Sequence, residues 1–128
     1  GREIECAVLG NEEPVASLPG EIIPKREFYS YEAKYLDAEG ALLEFPAKLE
    51  EGMVKQVQDL AVKAFLVLGC EGMARVDFFY DHTNEQLWIN EINTLPGFTS
   101  LSMYPMLWNA SGINLQQLVA QLVECARE

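Results

Sequence analysis

Two neighbouring β-rich runs, separated by the turn-like segment 81–85, carry polar side chains at alternate positions. Arg75 and Asp77 lie in the first run, and Glu91 and Asn93 lie in the second. Alternate residues of a strand share one face. If the runs pair as an antiparallel hairpin, Asp77 stands opposite Glu91 and Arg75 opposite Asn93, with opposed Cβ atoms about 5 Å apart. The spacing therefore predicts a polar cluster on one sheet face.

This cluster has the composition of a divalent metal site. Two carboxylates so close together repel each other unless a proton or a cation lies between them. Carboxylate and amide oxygens are ligands that Mg²⁺ accepts, together with phosphates and water. Arg75 adds a positive fork suited to a phosphate or a developing oxyanion. The spacing leaves one alternative open, a solvated sheet face on which Arg75 simply pairs with the acids.

The segment that follows the second run favours a binding site. Residues 94–100 leave the strand just past Asn93 and lead into a predicted helix. Gly97 permits close approach of the backbone to a ligand. The hydroxyls of Thr99 and Ser100, with the free N–H groups of a helix start, suit a small carboxylate or phosphate.

The rest of the sequence predicts an α+β domain that must position these residues. Strands are predicted near 4–9, 21–23, 42–46, 72–80 and 86–93, and helices over 50–69, about 102–110 and from about 115 onward. Residues 24–40 show no period and predict a long ordered loop. Apolar stripes are predicted on the first helix (Val54, Val57, Ala61, Ala64 and Leu68) and on the last (Leu115, Leu118, Val119, Leu122 and Val123).

Several single residues have plainer interpretations. Leu87 and Ile89 are expected on the carboxylate face of the hairpin, and Trp88 on the opposite, buried face. Trp108 is expected to pack in the core. His82 is expected in the exposed hairpin loop, with no chemical role.

Composition limits the classes of function. The chain has 128 residues, enough for a single domain with one core, and 49% of them are hydrophobic. The net charge of −11 argues against binding to nucleic acid or to an anionic membrane. No apolar run approaches the ~20 residues of a bilayer-spanning helix. The three cysteines form no metal-ligand pair and predict reduced thiols in a cytoplasmic protein.

Two motifs resemble a known family. Residues 72–79 (GMARVDFF) and 90–105 (NEINTLPGFTSLSMYP) resemble the C-terminal signature of D-alanine–D-alanine ligases, within the ATP-grasp superfamily. Glu32-Ala33-Lys34-Tyr35 resembles the loop that covers the active site in those enzymes. The opening run 3–10 resembles their strand entering the last subdomain. The resemblance spans nearly the whole chain and implies an ATP-grasp C-terminal subdomain, a mostly antiparallel sheet packed against helices.

The resemblance also implies roles for single residues. Asp77, Glu91 and Asn93 would hold two Mg²⁺ (or Mn²⁺) ions, with Glu91 shared between them. Arg75 and the N–H of Gly97 would stabilise the oxyanion, and Lys34 and Tyr35 would act with them in catalysis. Ser100 and Leu101 would hold the carboxylate of the second D-alanine. The ATP-binding set would be Glu3 on the ribose, Phe28 and Phe79 in the nucleotide pocket, Lys34 on the transferred phosphate, and Asn90 and Glu91.

The implied activity is the joining of two D-alanines by ATP through an acyl phosphate, for peptidoglycan precursors. The resemblance further implies that residues 1–128 are a single domain of a longer enzyme. Its N-terminal and central domains would lie outside this chain, which alone would be inactive. The resemblance is also compatible with a longer enzyme that forms a homodimer. The Lys34-Tyr35 pair resembles that of dipeptide-forming members.

Three other readings remain open at this point. One is an ATP-grasp ligase that uses a different carboxylate and amine. The second is a nucleotide-binding module that has lost catalysis. The third is a plain α+β interaction domain whose acidic face meets a basic partner.

Overall fold

The secondary structure follows the predicted order. A computed structural model describes residues 1–24 and 40–128, so the loop predicted over 24–40 lies, apart from its two end residues, outside the described residues. The strands are β1 Arg2–Gly10, β2 Val15–Ala16, β3 Gly20–Ile23, β4 Leu42–Glu44, β5 Gly72–Asp81 and β6 Gln86–Asn93. The helices are α1 Glu51–Val67, α2 Met103–Ala110 and α3 Leu115–Arg127. The α+β class is confirmed.

The strands form one antiparallel sheet centred on β1. The order is β4-β3-β1-β5-β6, and the short β2 pairs with the end of β1. β1 and β5 pair along their whole length, from Arg2 opposite Tyr80 to Gly10 opposite Gly72. An apolar run in the middle of β1 suits this central position, because a strand paired on both edges is largely buried. The predicted, mostly antiparallel sheet is confirmed.

Helix α1 covers one face of the sheet. Its buried residues are Met53, Val57, Ala61 and Phe65, which pack against a core that includes Ile4, Cys6, Val8, Ala74, Val76 and Phe78. The predicted stripe was right for Val57 and Ala61 but wrong for Leu68, which is 62% exposed. The helix ends at Val67, and Gly69 then takes a φ of +71° that turns the chain away.

Helices α2 and α3 cover only part of the opposite face. Their buried residues, Met103, Tyr104, Leu107, Trp108 and Leu118, pack on Ala7, Leu9 and Leu43. The hydroxyl of Tyr104 donates a hydrogen bond to the backbone oxygen of Val8 at 2.8 Å. Trp108 is therefore a core residue, as predicted. Within 1–24 and 40–128, no helix packs on the rest of this face, where Glu3, Asp77 and Glu91 lie.

Helix α3 uses less of its apolar face than its sequence predicts. Its start is fixed by a capping box, in which Asn114 and Gln117 each accept a hydrogen bond from the other's backbone N–H. Leu118 is buried and Leu122 is partly buried, but Leu115, Val119 and Val123 are exposed. The prediction of one buried stripe is thus wrong for these three residues, because α3 packs along a narrow line only. No helix in the described part is long and apolar enough to cross a membrane.

Candidate active site

The hairpin register near the carboxylates is the predicted one. Asp77 lies opposite Glu91, and Arg75 lies opposite Asn93. On its other edge, β5 pairs with β1, which places Glu5 opposite Asp77. Directly paired residues share a face of the sheet. Three adjacent strands therefore each bring a carboxylate to one row, beside the area that α2 and α3 leave uncovered.

A β-bulge changes the register on the turn side of this row. The register shifts between Asp77 and Phe78, so that Phe78 lies opposite Ile89 while Asn90 becomes the additional residue of β6. One additional residue exchanges the two faces of the strand beyond it. The side chains of β6 between the bulge and the turn therefore lie on the faces opposite to those that a regular hairpin would give them.

The bulge overturns the predicted placement of three residues. Leu87 packs against the core on the α1 side, so Leu87 and Ile89 do not share the face of Glu91. Trp88 lies opposite Phe79, on the carboxylate face, and is 49% exposed. The prediction that Trp88 belongs to the core is wrong, because strict alternation does not hold across a bulge.

A cavity of about 220 Å³ opens on the carboxylate face. Six residues that the sequence analysis assigned to the site line it: Glu3, Arg75, Asp77, Phe79, Asn90 and Glu91. They come from β1, β5 and β6, so the sheet pairing brings them together. One further polar residue, Glu5, also lines the cavity and was missed by the sequence analysis.

The guanidinium of Arg75 is shared by two acids. Nε donates to Asp77 Oδ1 at 2.8 Å, and Nη2 donates to Asp77 Oδ2 at 2.9 Å. The same Nε lies 3.5 Å from Glu5 Oε1. The hydrogen bonds to Asp77 are the main reason that the pKa of Arg75 is raised. This group keeps its charge and neutralises part of the cluster.

Glu5 is the most buried acid of the cavity. It is only 6% exposed, and its Oε2 has no hydrogen-bond partner within the described ranges. Burial raises the pKa of Glu5 to about 8, helped by the charge of Asp77 and opposed by Arg75. A Glu-x-Glu pattern in an otherwise apolar strand, Glu3 and Glu5 of β1, was the sequence signal that could have identified it.

The cavity is suited to a cation. Among its lining residues, four carboxylates (Glu3, Glu5, Asp77 and Glu91) face one guanidinium. Within the described residues, no three His, Cys, Asp or Glu side chains are already arranged around a metal position. The amide oxygen of Asn93 accepts a hydrogen bond from the N–H of Leu95 at 3.0 Å. The oxygen-only donors fit Mg²⁺ or Mn²⁺, provided that Arg75 and Asn93 adjust.

The loop after β6 is tied to the start of α2. The Thr99 hydroxyl lies 2.8 Å from the Ser102 hydroxyl, which also accepts from the Thr99 N–H at 3.0 Å. A Cβ atom added to Gly97 would lie 3.1 Å from the Ser102 oxygen, so the small residue allows this approach. The hydroxyl of Thr99 is thus engaged in hydrogen bonds within the loop. The anion-binding role predicted for this segment stays a prediction.

The remaining predicted residues lie elsewhere. Ser100 and Leu101 line a separate hollow of about 410 Å³, together with Phe45, Pro105 and Met106. Neither cavity is lined by Gly97. Phe28, Lys34 and Tyr35 lie outside the described residues.

Comparisons with known proteins agree with the predicted family. The family model described as "D-ala D-ala ligase C-terminus" matches residues 1–124. The chain is 62% identical over 128 residues to a D-alanine--D-alanine ligase of Oceanobacillus iheyensis, covering all of this chain and 35% of that protein. A ligase of the same name from Coxiella burnetii is 57% identical over 126 residues, which are 98% of this chain and 34% of that protein. The chain thus spans about a third of the length of the curated relatives it matches.

Solved structures agree with the fold. The D-alanine-D-alanine ligase from Coxiella burnetii superposes with a TM-score of 0.84 at 49% identity, over 98% of this chain and 32% of that one. The VanG D-Ala:D-Ser ligase from Enterococcus faecalis gives 0.82 at 35% identity, over 98% of this chain and 36% of that one. The family model's match over residues 1–124 includes every residue that lines the carboxylate cavity. With 124 of its residues covered by the family model, this chain belongs to the D-ala D-ala ligase C-terminus family.

Proposed function

We propose that the protein containing this chain joins two D-alanine molecules into D-alanyl-D-alanine at the expense of ATP. The proposal is supported by the 62% identity to a D-alanine--D-alanine ligase across the entire chain. The structural observation that carries it is the cavity in which Asp77, Glu91 and Arg75 meet. An oxygen-lined, acidic cavity with one guanidinium is suited to metal-bound phosphate and to a carboxylate activated as an acyl phosphate.

Asp77, Glu91 and Asn93 are the proposed metal ligands. Bound Mg²⁺ or Mn²⁺, two ions per site in our proposal, would neutralise the charge of the ATP phosphates. Asp77 and Glu91 face each other across the hairpin, so Glu91 is placed to serve both positions. Asn93 follows two residues later and contributes an uncharged oxygen.

Arg75 is the proposed oxyanion partner. Its guanidinium lines the cavity and carries a fixed charge, which would stabilise the negative oxygen formed when an amine attacks the acyl phosphate. The N–H of Gly97, in the loop that follows Asn93, is the proposed second donor. In the present arrangement Arg75 is bound to Asp77, so the guanidinium must shift before it acts on substrate.

The nucleotide would lie on the β1 and β5 side of the cavity. Glu3 would bind the ribose hydroxyls; it lies opposite Phe79, whose ring is partly exposed. Asn90, on β6, lines the same cavity. We add Trp88 to this set because it lies opposite Phe79 on the same face.

The acceptor amino acid would be held at the start of α2, with Ser100 and Leu101 on its carboxylate. Phe28, Lys34 and Tyr35 would complete the site from the segment that precedes residue 40. The other two thirds of the ligase would supply the first D-alanine site and further phosphate contacts, since the lining described here holds a single basic side chain. These residues alone would give no turnover. The three unpaired thiols suit a cytoplasmic enzyme of peptidoglycan synthesis.

The test uses the full-length ligase with ATP, Mg²⁺ and single amino acids. Release of phosphate that depends on D-alanine, together with formation of D-alanyl-D-alanine, is the expected result. D-serine is the discriminating competitor, because the chain also shares 35% identity with a D-Ala:D-Ser ligase. Equal or better use of D-serine or of an unrelated amine would replace the proposed substrate. ATP-binding without any ligation would favour the non-catalytic module.

A further inference from the structure

Arg75 lies between two carboxylates that belong to neighbouring strands. Its Nε–H donates to Asp77 at 2.8 Å and lies 3.5 Å from Glu5 Oε1. Glu5 and Asp77 are direct partners across β1 and β5. The guanidinium therefore has a second acid within reach of a small side-chain movement.

The present contact competes with the proposed use of Asp77. Both carboxylate oxygens of Asp77 accept hydrogen bonds from Arg75. A metal ion takes lone pairs from the same oxygens and repels the guanidinium. The proposed function, on which this inference rests, thus requires Arg75 to release at least part of Asp77 when the metal binds.

Glu5 is prepared to accept the released guanidinium. It is 6% exposed, and its Oε2 has no hydrogen-bond partner among the residues that the structure describes. A buried carboxyl oxygen without a hydrogen-bond partner is costly, and water has little access to it. The fork of Nε and Nη2 fits the two oxygens of any carboxylate.

We propose that Glu5 is a positioning residue that holds Arg75 in the site when Asp77 turns to the metal ion. The guanidinium passes from one carboxylate to its cross-strand neighbour and stays beside the cavity. Without Glu5, Arg75 stays on Asp77 and hinders the metal. Glu5 itself touches neither metal nor substrate.

The competing role is that of a third carboxylate ligand, because Glu5 lines the same cavity as Asp77 and Glu91. The two roles differ in their dependence on Arg75. A positioning role disappears when Arg75 is replaced, whereas a direct role of Glu5 on the metal does not.

A double-mutant cycle separates these roles. The full-length ligase is prepared as wild type, Glu5→Gln, Arg75→Met and the double variant, and Mn²⁺ binding is titrated by electron paramagnetic resonance with a non-hydrolysable ATP analogue present. Glu5→Gln is expected to weaken Mn²⁺ binding about tenfold in the wild-type background, and less than about twofold in the Arg75→Met background. An equal loss in both backgrounds would overturn the proposal.

Glu44→Gln is the matched control for charge. Glu44 lies on β4 of the same sheet and pairs with Lys48 at 3.5 Å, so the change removes one negative charge away from Arg75. Its effect on Mn²⁺ binding is expected to be less than about twofold. A loss as large as that of Glu5→Gln would reduce the result to general electrostatics and overturn the proposal.

A structure of the wild-type ligase with Mn²⁺ and the analogue keeps the test open even if a variant does not fold. A guanidinium nitrogen of Arg75 is expected within about 3.2 Å of a Glu5 oxygen. Arg75 still bound to both oxygens of Asp77 would contradict the proposal. A failure of the proposed function would give a different result. The wild type would form no D-alanyl-D-alanine, while Glu5→Gln would still weaken Mn²⁺ binding only when Arg75 is present.

Discussion

Trp88 lies opposite Phe79 across the β5–β6 hairpin, on the face that carries Asp77. Both rings are partly exposed, although the sequence pattern assigned Trp88 to the core. Their position beside the cavity makes them reporters of the proposed nucleotide site.

Replacing Trp88 tests that position. Trp88→Ala in the full-length ligase is expected to raise KM for ATP about fivefold to tenfold with little change in kcat, because in the proposed site the ring would contact the nucleotide and not the reacting phosphate. Steady-state kinetics at saturating D-alanine measure both parameters. In wild type, nucleotide binding should also change tryptophan fluorescence, and that change should vanish in the variant. A signal that persists in the variant would not come from Trp88; Trp108, a residue of α2, is buried in the core.

Replacing Asp77 tests the proposed metal site. Asp77→Asn is expected to lower D-alanine-dependent phosphate release at least about a hundredfold, because one charged ligand of the proposed metal site would be lost while the shape is kept. Asp59→Asn is the matched control, since Asp59 forms an exposed pair with Lys55 on α1. Turnover that survives Asp77→Asn would favour the plain interaction domain.

Core packing under α1 gives a prediction for stability. Phe65→Ala is expected to lower the free energy of unfolding by about 3–5 kcal/mol, because the ring is fully buried against the sheet and leaves a cavity. Val67→Ala, two residues later, is expected to change it by less than about 0.5 kcal/mol because Val67 is 75% exposed. Urea unfolding followed by circular dichroism measures both. Similar losses for the two variants would contradict the assigned burial.

Buried groups predict a loss of stability at alkaline pH. Burial raises the pKa of Cys6 to about 12 and also raises the pKa of Tyr104 above its ordinary value. The unfolded chain releases these protons near their ordinary pKa values, whereas the folded chain retains them. The free energy of unfolding should therefore fall above about pH 9, by up to about 1.4 kcal/mol per pH unit for each group. Tyr104→Phe should flatten the profile above pH 10, and unfolding curves at stepped pH measure it.

The rate of thiol alkylation gives an independent test of the burial of Cys6. At pH 8, native Cys6 should resist alkylation by iodoacetamide, because its thiolate is scarce and enclosed. Cys125 is half-buried near the end of α3 and should react earlier. Peptide mass spectrometry after timed alkylation distinguishes the two. Early modification of Cys6 in folded protein would contradict the central position of β1.

The sequence predicted local structure better than long-range pairing. The Asp77–Glu91 pairing followed from a short hairpin and a period of two, both visible within 20 residues or so of chain. Glu5 escaped attention because its partner Asp77 lies far along the sequence, and no local pattern specifies how β1 registers against β5. The bulge at Asn90 was equally invisible, since an additional strand residue looks like any other until its partners are known.

Burial on helices was predictable only in part. The apolar residues of α3 fulfil a helical period, yet periodicity does not reveal how wide a surface will meet them. Leu118 meets the core, and Val119 does not. In the site, the residue types indicated metal and anion chemistry. The contact of Arg75 with Glu5 could not be predicted from the sequence, because it depends on the pairing of two distant strands.

The exposed edge of α3 has a practical consequence for anyone handling these 128 residues by themselves. Three exposed apolar residues recur at every fourth position of the helix: Leu115, Val119 and Val123. They form a continuous apolar stripe that faces the solvent. Exposed apolar surface of this kind promotes self-association as the protein concentration rises. Replacing Val119 with Glu offers a direct way to keep such a preparation dispersed, at a place remote from the carboxylate cavity.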